Sequence, residues 1–270
     1  MVYLRKNVEE MTETEQFIYA SNFEKLLKIS LEIQSDNRGF YNLAGYHGYP
    51  NYWCWHHLER MRENRRMRLF FPWHRAYLYN LELRLQDDTT DILAIPWWDW
   101  SSSSSHNNGI PNLFTAKELG GKPNPLISFP MPKDIPRDSL PDGTADPPQT
   151  WRLPDPNTSL PTPASISYAL SKSDFEDAEL FIEDLHDKMH GWVGGTMGAV
   201  ATSAYDPIFY SHHCMIDRIW YLWQKQHGNA SGLEDLLDEC LPPFPQKVRN
   251  VLDIHQLNYD YAVSSRTIEI

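Results

Sequence analysis

His186 and His190 stand four residues apart in residues 179–223, ELFIEDLHDKMHGWVGGTMGAVATSAYDPIFYSHHCMIDRIWYLW. On a helix this spacing puts both imidazoles on one face, one turn above the other, where a single metal ion can reach both. A second helical run begins at Asp206-Pro207, since proline suits a first helical turn, and carries His212 and His213. Three histidines on two facing helices make half of a metal site, and imidazole suits copper, zinc, iron or nickel. At about 100° per residue, a polar stripe of Ser211, Arg218 and Lys225 leaves Phe209, His213, Ile216 and Trp220 opposite. That makes His213 the inward ligand and places His212 on the flank. Taken alone, the HxxxH pair also reads as two satisfied core histidines, but a second histidine group lies upstream.

In that group His74 opens an apolar stripe with Leu78, Leu81 and Leu85, so it is the first inward residue of a helix running to about Gln86. A histidine among leucines needs partners for its ring nitrogens, which a metal would supply. His47 sits in GYHGYP, read as an irregular loop, and Cys54-Trp55-His56-His57 follows. His106, His227 and His255 have no partners at ligand spacing and read as surface or structural.

The elements that must position these residues are mainly helical. Thr12 to Glu15 offers a capping box, and Phe17, Ala20, Phe23, Leu27 and Leu31 follow at helical spacing, predicting a first helix over about 12–34. Phe175, Glu179, Ile182, His186 and His190 share one register. Between the two halves, residues 101–173 open with five serines and hold 13 of the chain's 20 prolines. So long a stretch with little periodicity reads as an irregular excursion over the surface of a single domain spanning residues 1–270. Residues 229–270 read as a short capping tail.

At 270 residues and 41% hydrophobic, the chain can bury a large core. A net charge of −12 argues against nucleic acid and anionic membranes as partners. The basic run at residues 60–68 reads as a solvated face. No charged-then-apolar leader and no stretch near 18 apolar residues is present, so the expectation is a cytoplasmic protein, or one secreted with a partner. Cys54, Cys214 and Cys240 are too few and scattered for a disulfide framework.

The separated motifs His47-Gly48, Phe71-Pro72-Trp73-His74-Arg75, Pro96-Trp97-Trp98-Asp99-Trp100, His186-Asp187-Lys188-Met189-His190, Gly194-Gly195-x-Met197, Asp206-Pro207-x-Phe209 and His212-His213-x-x-x-Asp217-Arg218 together resemble the type-3 copper proteins. These are the tyrosinases, catechol oxidases and haemocyanins, and the likeness is nearest to short bacterial tyrosinases. The resemblance implies a four-helix bundle around two copper ions. His47, a middle histidine and His74 would hold the first ion, and His186, His190 and His213 the second. The family's middle ligand falls nine residues before the PWH histidine, where this chain has Arg65, which stays protonated and cannot serve. His56 or His57 would replace it, with His56 favoured because Cys54-Trp55-His56 resembles the Cys-x-His in which the sulfur is linked to the ring. Cys54 otherwise reads as an ordinary buried thiol.

The chemistry implied is oxidation of a phenol or catechol by O2 to the o-quinone, with a small phenolic substrate and a copper-loading helper protein as the partners to look for. Glu179, seven residues before His186, corresponds by resemblance to a glutamate that holds water near copper, or reads as a plain helix-surface residue. Asp187 stands where the family often has Asn, and the two acids together would deprotonate a monophenol. Val200 and Phe209 map near the substrate entrance. Asp217 would orient a histidine ring or pair with Arg218. A catechol or o-aminophenol oxidase and a haemocyanin-like carrier use the same ligands. A di-iron bundle needs two Glu-x-x-His motifs and the chain has one, Glu183-x-x-His186, while the histidines are too many for one zinc.

Overall fold

The computed structural model describes residues 2–54, 68–87 and 94–264. Seven α-helices lie among them, and sheet is confined to two small pairs of strands. Helix α1 (Glu13–Glu32) starts at the expected capping box, in which Thr12 and Glu15 satisfy each other's backbone N–H groups. Helix α2 (Phe40–His47) ends on His47, so this histidine is helical and not in a loop. The signal was obscured because the helix is only two turns long and is bounded by Gly39 and Gly48.

Helix α3 (Phe70–Gln86) carries His74, α4 (Ser103–Asn108) and α5 (Pro163–Leu170) lie in the Pro-rich segment, and α6 (Phe175–Val193) carries His186 and His190. Helix α7 (Ile208–His227) carries the His212-His213 pair. It packs against both α3 and α6, and α1 packs on α2 and α3. Three long helices and the short α2 therefore bring four histidine-bearing segments to one interior point.

The polar stripe expected on α7 does not exist. Ser211 and Arg218 are buried along with nearly the whole helix, and only its last turns reach solvent. Arg218 lies over the Trp97 ring, 4.9 Å from its centre, which is how a cation is buried on an aromatic face. A helix covered on all sides must place its polar residues against partners, and polarity then no longer marks the outside.

Residues 101–173 are ordered and are more than a surface wrapping. Leu113, Phe114, Leu126, Phe129 and Met131 enter the hydrophobic core, and Phe129 packs edge-on to Phe40 at 5.3 Å. The chain end is likewise no mere cap. Strand β1 (Tyr3–Arg5) pairs in parallel with the last strand, Tyr259–Tyr261, and Phe244 packs 5.5 Å from Trp73.

Beneath α7 lies a buried ion network. Asp217 accepts from Arg75 Nε at 2.6 Å, from Arg5 Nη1 at 2.8 Å and from the Tyr259 and Tyr261 hydroxyls at 2.7 and 2.5 Å. Arg5 also forks onto Glu82 with two 2.8 Å bonds. Both chain ends are thereby tied to α3 and α7. Asp217 contacts neither a histidine nor Arg218 in this network, in contrast to both roles foreseen for it. Arg68, at the end of the basic run, bonds to Asp235 at 2.9 Å; residues 60–67 lie outside the described residues.

Burial alone would raise the Asp217 carboxyl, but Arg75, Arg5 and the two hydroxyls hold it below the ordinary carboxylate value. Its stabilisation is present at neutral pH and is lost as pH falls through that lowered value. Asp217→Asn is expected to cost about 3–5 kcal/mol, because Arg75 loses its counter-charge and Arg5 is left with Glu82 alone. Urea unfolding at pH 7 measures the cost, and the variant's stability should depend less on pH in the acid range.

Candidate metal centre

Helix α6 runs to Gly194, whose φ of +62° ends it. The following loop turns back so that the Met197 carbonyl faces His190 Nδ1 at 2.8 Å. A carbonyl only accepts, so Nδ1 carries the proton and Nε2 presents a bare lone pair. His74 is set the same way by the Phe70 carbonyl, 2.8 Å from its Nδ1. His186 Nδ1 lies 2.9 Å from the Asp187 carboxylate. Such partners at Nδ1 fix both the tautomer and the ring orientation of a metal-binding histidine.

The Nε2 atoms converge. His213 Nε2 lies 3.2 Å from His186 Nε2 and 3.4 Å from His190 Nε2. At most one of these contacts can be a hydrogen bond donated by His213, so lone pairs face each other. A cation at that point removes the conflict. Ligand atoms of His186, His190, His212 and His213 all lie within 4.8 Å of one another, and the same holds for His47, His74 and His213. His213 belongs to both groups, and its ring stacks on His74 at 4.5 Å.

His212 is closer to the cluster than its flank position suggested. It is fully buried, stacks on His186 at 5.1 Å, and neither of its ring nitrogens has a hydrogen-bond partner among the described residues. Burial drives His190 down to about 4, and burial together with the neighbouring imidazoles holds His212 and His213 well below the usual histidine value. These rings are neutral at pH 7, the form that binds metal. An all-imidazole donor set of this kind fits a transition metal and not calcium or magnesium.

Phe209 packs on the cluster, 4.0 Å from His213 and 4.7 Å from His47, and is itself buried. Above the histidines a pocket of about 240 Å³ is lined by His47, His186, Asp187, His190, Gly191, Met197, Gly198, Val200 and Ser203. Val200 is 38% exposed at its mouth. Glu179 is not part of this lining. It is buried, accepts from the Phe71 backbone N–H in the first turn of α3, and is pushed well above the usual carboxylate range by burial and by Glu183. Helix α3 has no side-chain cap of its own from Leu69, and Glu179 takes up one of its first-turn N–H groups.

Asp187 is pushed up to about 6 by partial desolvation and by Asp184, which still leaves it largely ionised at neutral pH. Cys54 is a buried thiol in no disulfide among the described residues, raised to about 12 by burial and by Glu183. His56 and His57 lie outside the described residues, as does any bond from Cys54 to His56. The residues that sequence reasoning missed are those acting through the backbone or from afar. Met197 offers only a carbonyl, and Ser203, whose Oγ lies 3.4 Å from His47 Nδ1, is one serine among many.

Residues 37–226 match the model of the common central domain of tyrosinase. The chain belongs to the tyrosinase family of type-3 copper proteins. That family binds a binuclear copper centre, and the histidine groups described here can hold metal. Among relatives, the chain is 28% identical to Helix pomatia hemocyanin beta-C chain unit D over 94% of its own length and 61% of that protein. It is 30% identical to a Streptomyces lincolnensis tyrosinase over 68% of this chain and 75% of that one. The chain thus spans less than two thirds of that hemocyanin unit and smaller shares of other, longer hemocyanins.

A functional unit of octopus hemocyanin superposes with a TM-score of 0.74 at 26% identity, covering 96% of this chain and 68% of that unit. A tyrosinase from Burkholderia thailandensis gives 0.75 at 24% identity, covering 98% and 74%, which speaks to the fold. Among the described residues no helix is long and apolar enough to cross a membrane.

Because His213 is shared by both groups, His213→Ala should lower bound copper per chain more than His190→Ala does. Metal analysis after equilibrium dialysis measures the difference, and equal losses would contradict the shared position.

Proposed function

We propose that this protein is a copper-dependent phenol oxidase that uses O2 to convert monophenols, o-diphenols or both into o-quinones. The observation that carries the reading is the pocket opening directly onto His47, His186 and His190, with Val200 at its mouth. A small aromatic ring that reached these histidines would pass Val200 and Gly198, which line the same pocket.

Two copper ions, held by His47, His74 and a middle histidine and by His186, His190 and His213, would supply the binding and reduction of O2. The protein's own part is positioning and proton handling. Asp187 lies at the pocket lining and is ionised at neutral pH, so it accepts the phenolic proton as the substrate docks. The assignment goes to Asp187 and not to Glu179, because only Asp187 reaches the pocket. One monophenol and one O2 give one quinone and one water, whereas two diphenols and one O2 give two quinones and two waters.

The decisive experiment is oxygen uptake with quinone detection on the copper-loaded protein, run separately on a monophenol and a diphenol. Turnover of both supports the full reading. Diphenol turnover alone makes it a catechol or o-aminophenol oxidase. Reversible O2 binding with no quinone from either substrate overturns the enzyme reading in favour of a carrier. Asp187→Asn keeps an acceptor for His186 but loses the base. It is expected to lower monophenol turnover by on the order of 100-fold while reducing diphenol turnover much less.

A further inference from the structure

The loop over residues 194–203 supplies the Met197 carbonyl to His190, the Ser203 hydroxyl beside His47, and the pocket wall of Met197, Gly198 and Val200. A loop with that many duties must be held still, and it contains no regular helix or strand of its own beyond short 3-10 turns. What holds it comes largely from the Pro-rich segment. Trp151 N–H donates to Thr196 Oγ1 at 2.8 Å, and Thr196 N–H returns a bond to the Trp151 carbonyl at 2.9 Å. Leu153 N–H and Asp155 N–H donate to the Val193 and Trp192 carbonyls, each at 2.9 Å.

The two backbones are in close contact. A Cβ on Gly195 would come within 2.4 Å of the Trp151 carbonyl oxygen, and one on Gly194 within 2.6 Å of the Leu153 carbonyl oxygen. Both glycines also hold positive φ, so no other residue type suits either place.

Arg152 lies at the centre of this pairing. Its guanidinium forks onto Asp206, with Nε 2.8 Å from Oδ2 and Nη2 2.6 Å from Oδ1, and it donates to the Phe114 and Leu126 carbonyls at 2.7 and 2.8 Å. The ion pair is almost wholly buried. Asp206 in turn accepts from Ile208 N–H at 3.0 Å, which anchors the start of α7 just before Phe209, His212 and His213. One side chain therefore joins the end of the loop, the first turn of α7 and two turns of the Pro-rich segment.

We propose that residues 151–155, with Arg152 at their centre, are the positioning device of the metal centre, holding the 194–203 loop and the start of α7 in the register that the histidines need. Arg152 is a positioning residue and touches neither metal nor substrate. The inference rests on the binuclear copper reading above. It explains why so proline-rich a segment is ordered: a chain with little backbone freedom loses little entropy in forming the clamp.

The test is a chelator titration of the copper-loaded protein, with copper per chain measured throughout, on wild type, Arg152→Gln, Thr196→Val and Thr12→Ala. Arg152→Gln should release its more loosely held copper at about tenfold lower chelator concentration, the scale seen when a group orienting a metal-bound histidine is lost. It should also raise KM for a catechol more than it lowers kcat. Thr196→Val, which keeps Arg152 and removes only one acceptor, should shift in the same direction by less, and it decides the matter if Arg152→Gln fails to fold.

Thr12→Ala weakens a helix cap remote from the loop and should retain copper as wild type does while unfolding more readily. Copper retention unchanged in a folded Arg152→Gln, or lost equally in Thr12→Ala, overturns the proposal. A wild-type protein that cannot hold two coppers overturns the copper reading itself and this inference with it.

Discussion

The structure depends on one electrostatic constraint: several neutral imidazoles are buried with their Nε2 lone pairs aimed at the same small volume. Lone pairs so placed repel one another. The arrangement therefore has to be imposed by the surrounding frame. The means of imposing it are visible at the opposite ring nitrogens, where the Phe70 carbonyl, the Asp187 carboxylate and the Met197 carbonyl each accept a hydrogen bond from an Nδ1–H. These acceptors decide which nitrogen faces the interior, and they come from helix turns and one loop whose backbones are themselves held.

The frame works from two sides. Below α7, Asp217 gathers Arg5, Arg75, Tyr259 and Tyr261, so the chain ends are bound to the helix that carries His212 and His213. At its start, Asp206 and Arg152 tie α7 to the Pro-rich segment. Around both, aromatic rings fill the space between helices, among them Phe71 stacked on Trp220 at 5.4 Å and Phe40 against Phe129. Buried ion pairs are costly to form, and here they stand where helices must meet at a defined height and angle.

The likeness to hemocyanins and tyrosinases alike follows from that division. Both share a helical frame that superposes on this one over nearly its whole length. What the frame leaves open is access to the histidines, which is set by a loop of ten residues and by whatever covers the pocket.

The sequence by itself determined the long helices and the histidines they carry, because period and capping are local properties. Thr12 with Glu15 marks the start of α1, and the stripe below His74 marks the inner face of α3. The motif set from His47 to Arg218 likewise placed the chain in its family, since spacing within and between motifs survives where overall identity is low. Tertiary structure alone decided the rest. Ser211 and Arg218 are polar yet buried, because α7 is covered on every side. Glu179 serves the start of α3, and Asp217 serves the chain ends, because each needed a partner distant in sequence. His190 takes its orientation from a carbonyl, which every residue has and which no residue type announces. Arg152 reaches Asp206 across 54 positions, and nothing local in either stretch points to the other. Contacts of that kind are made by packing, so only the folded chain could reveal them.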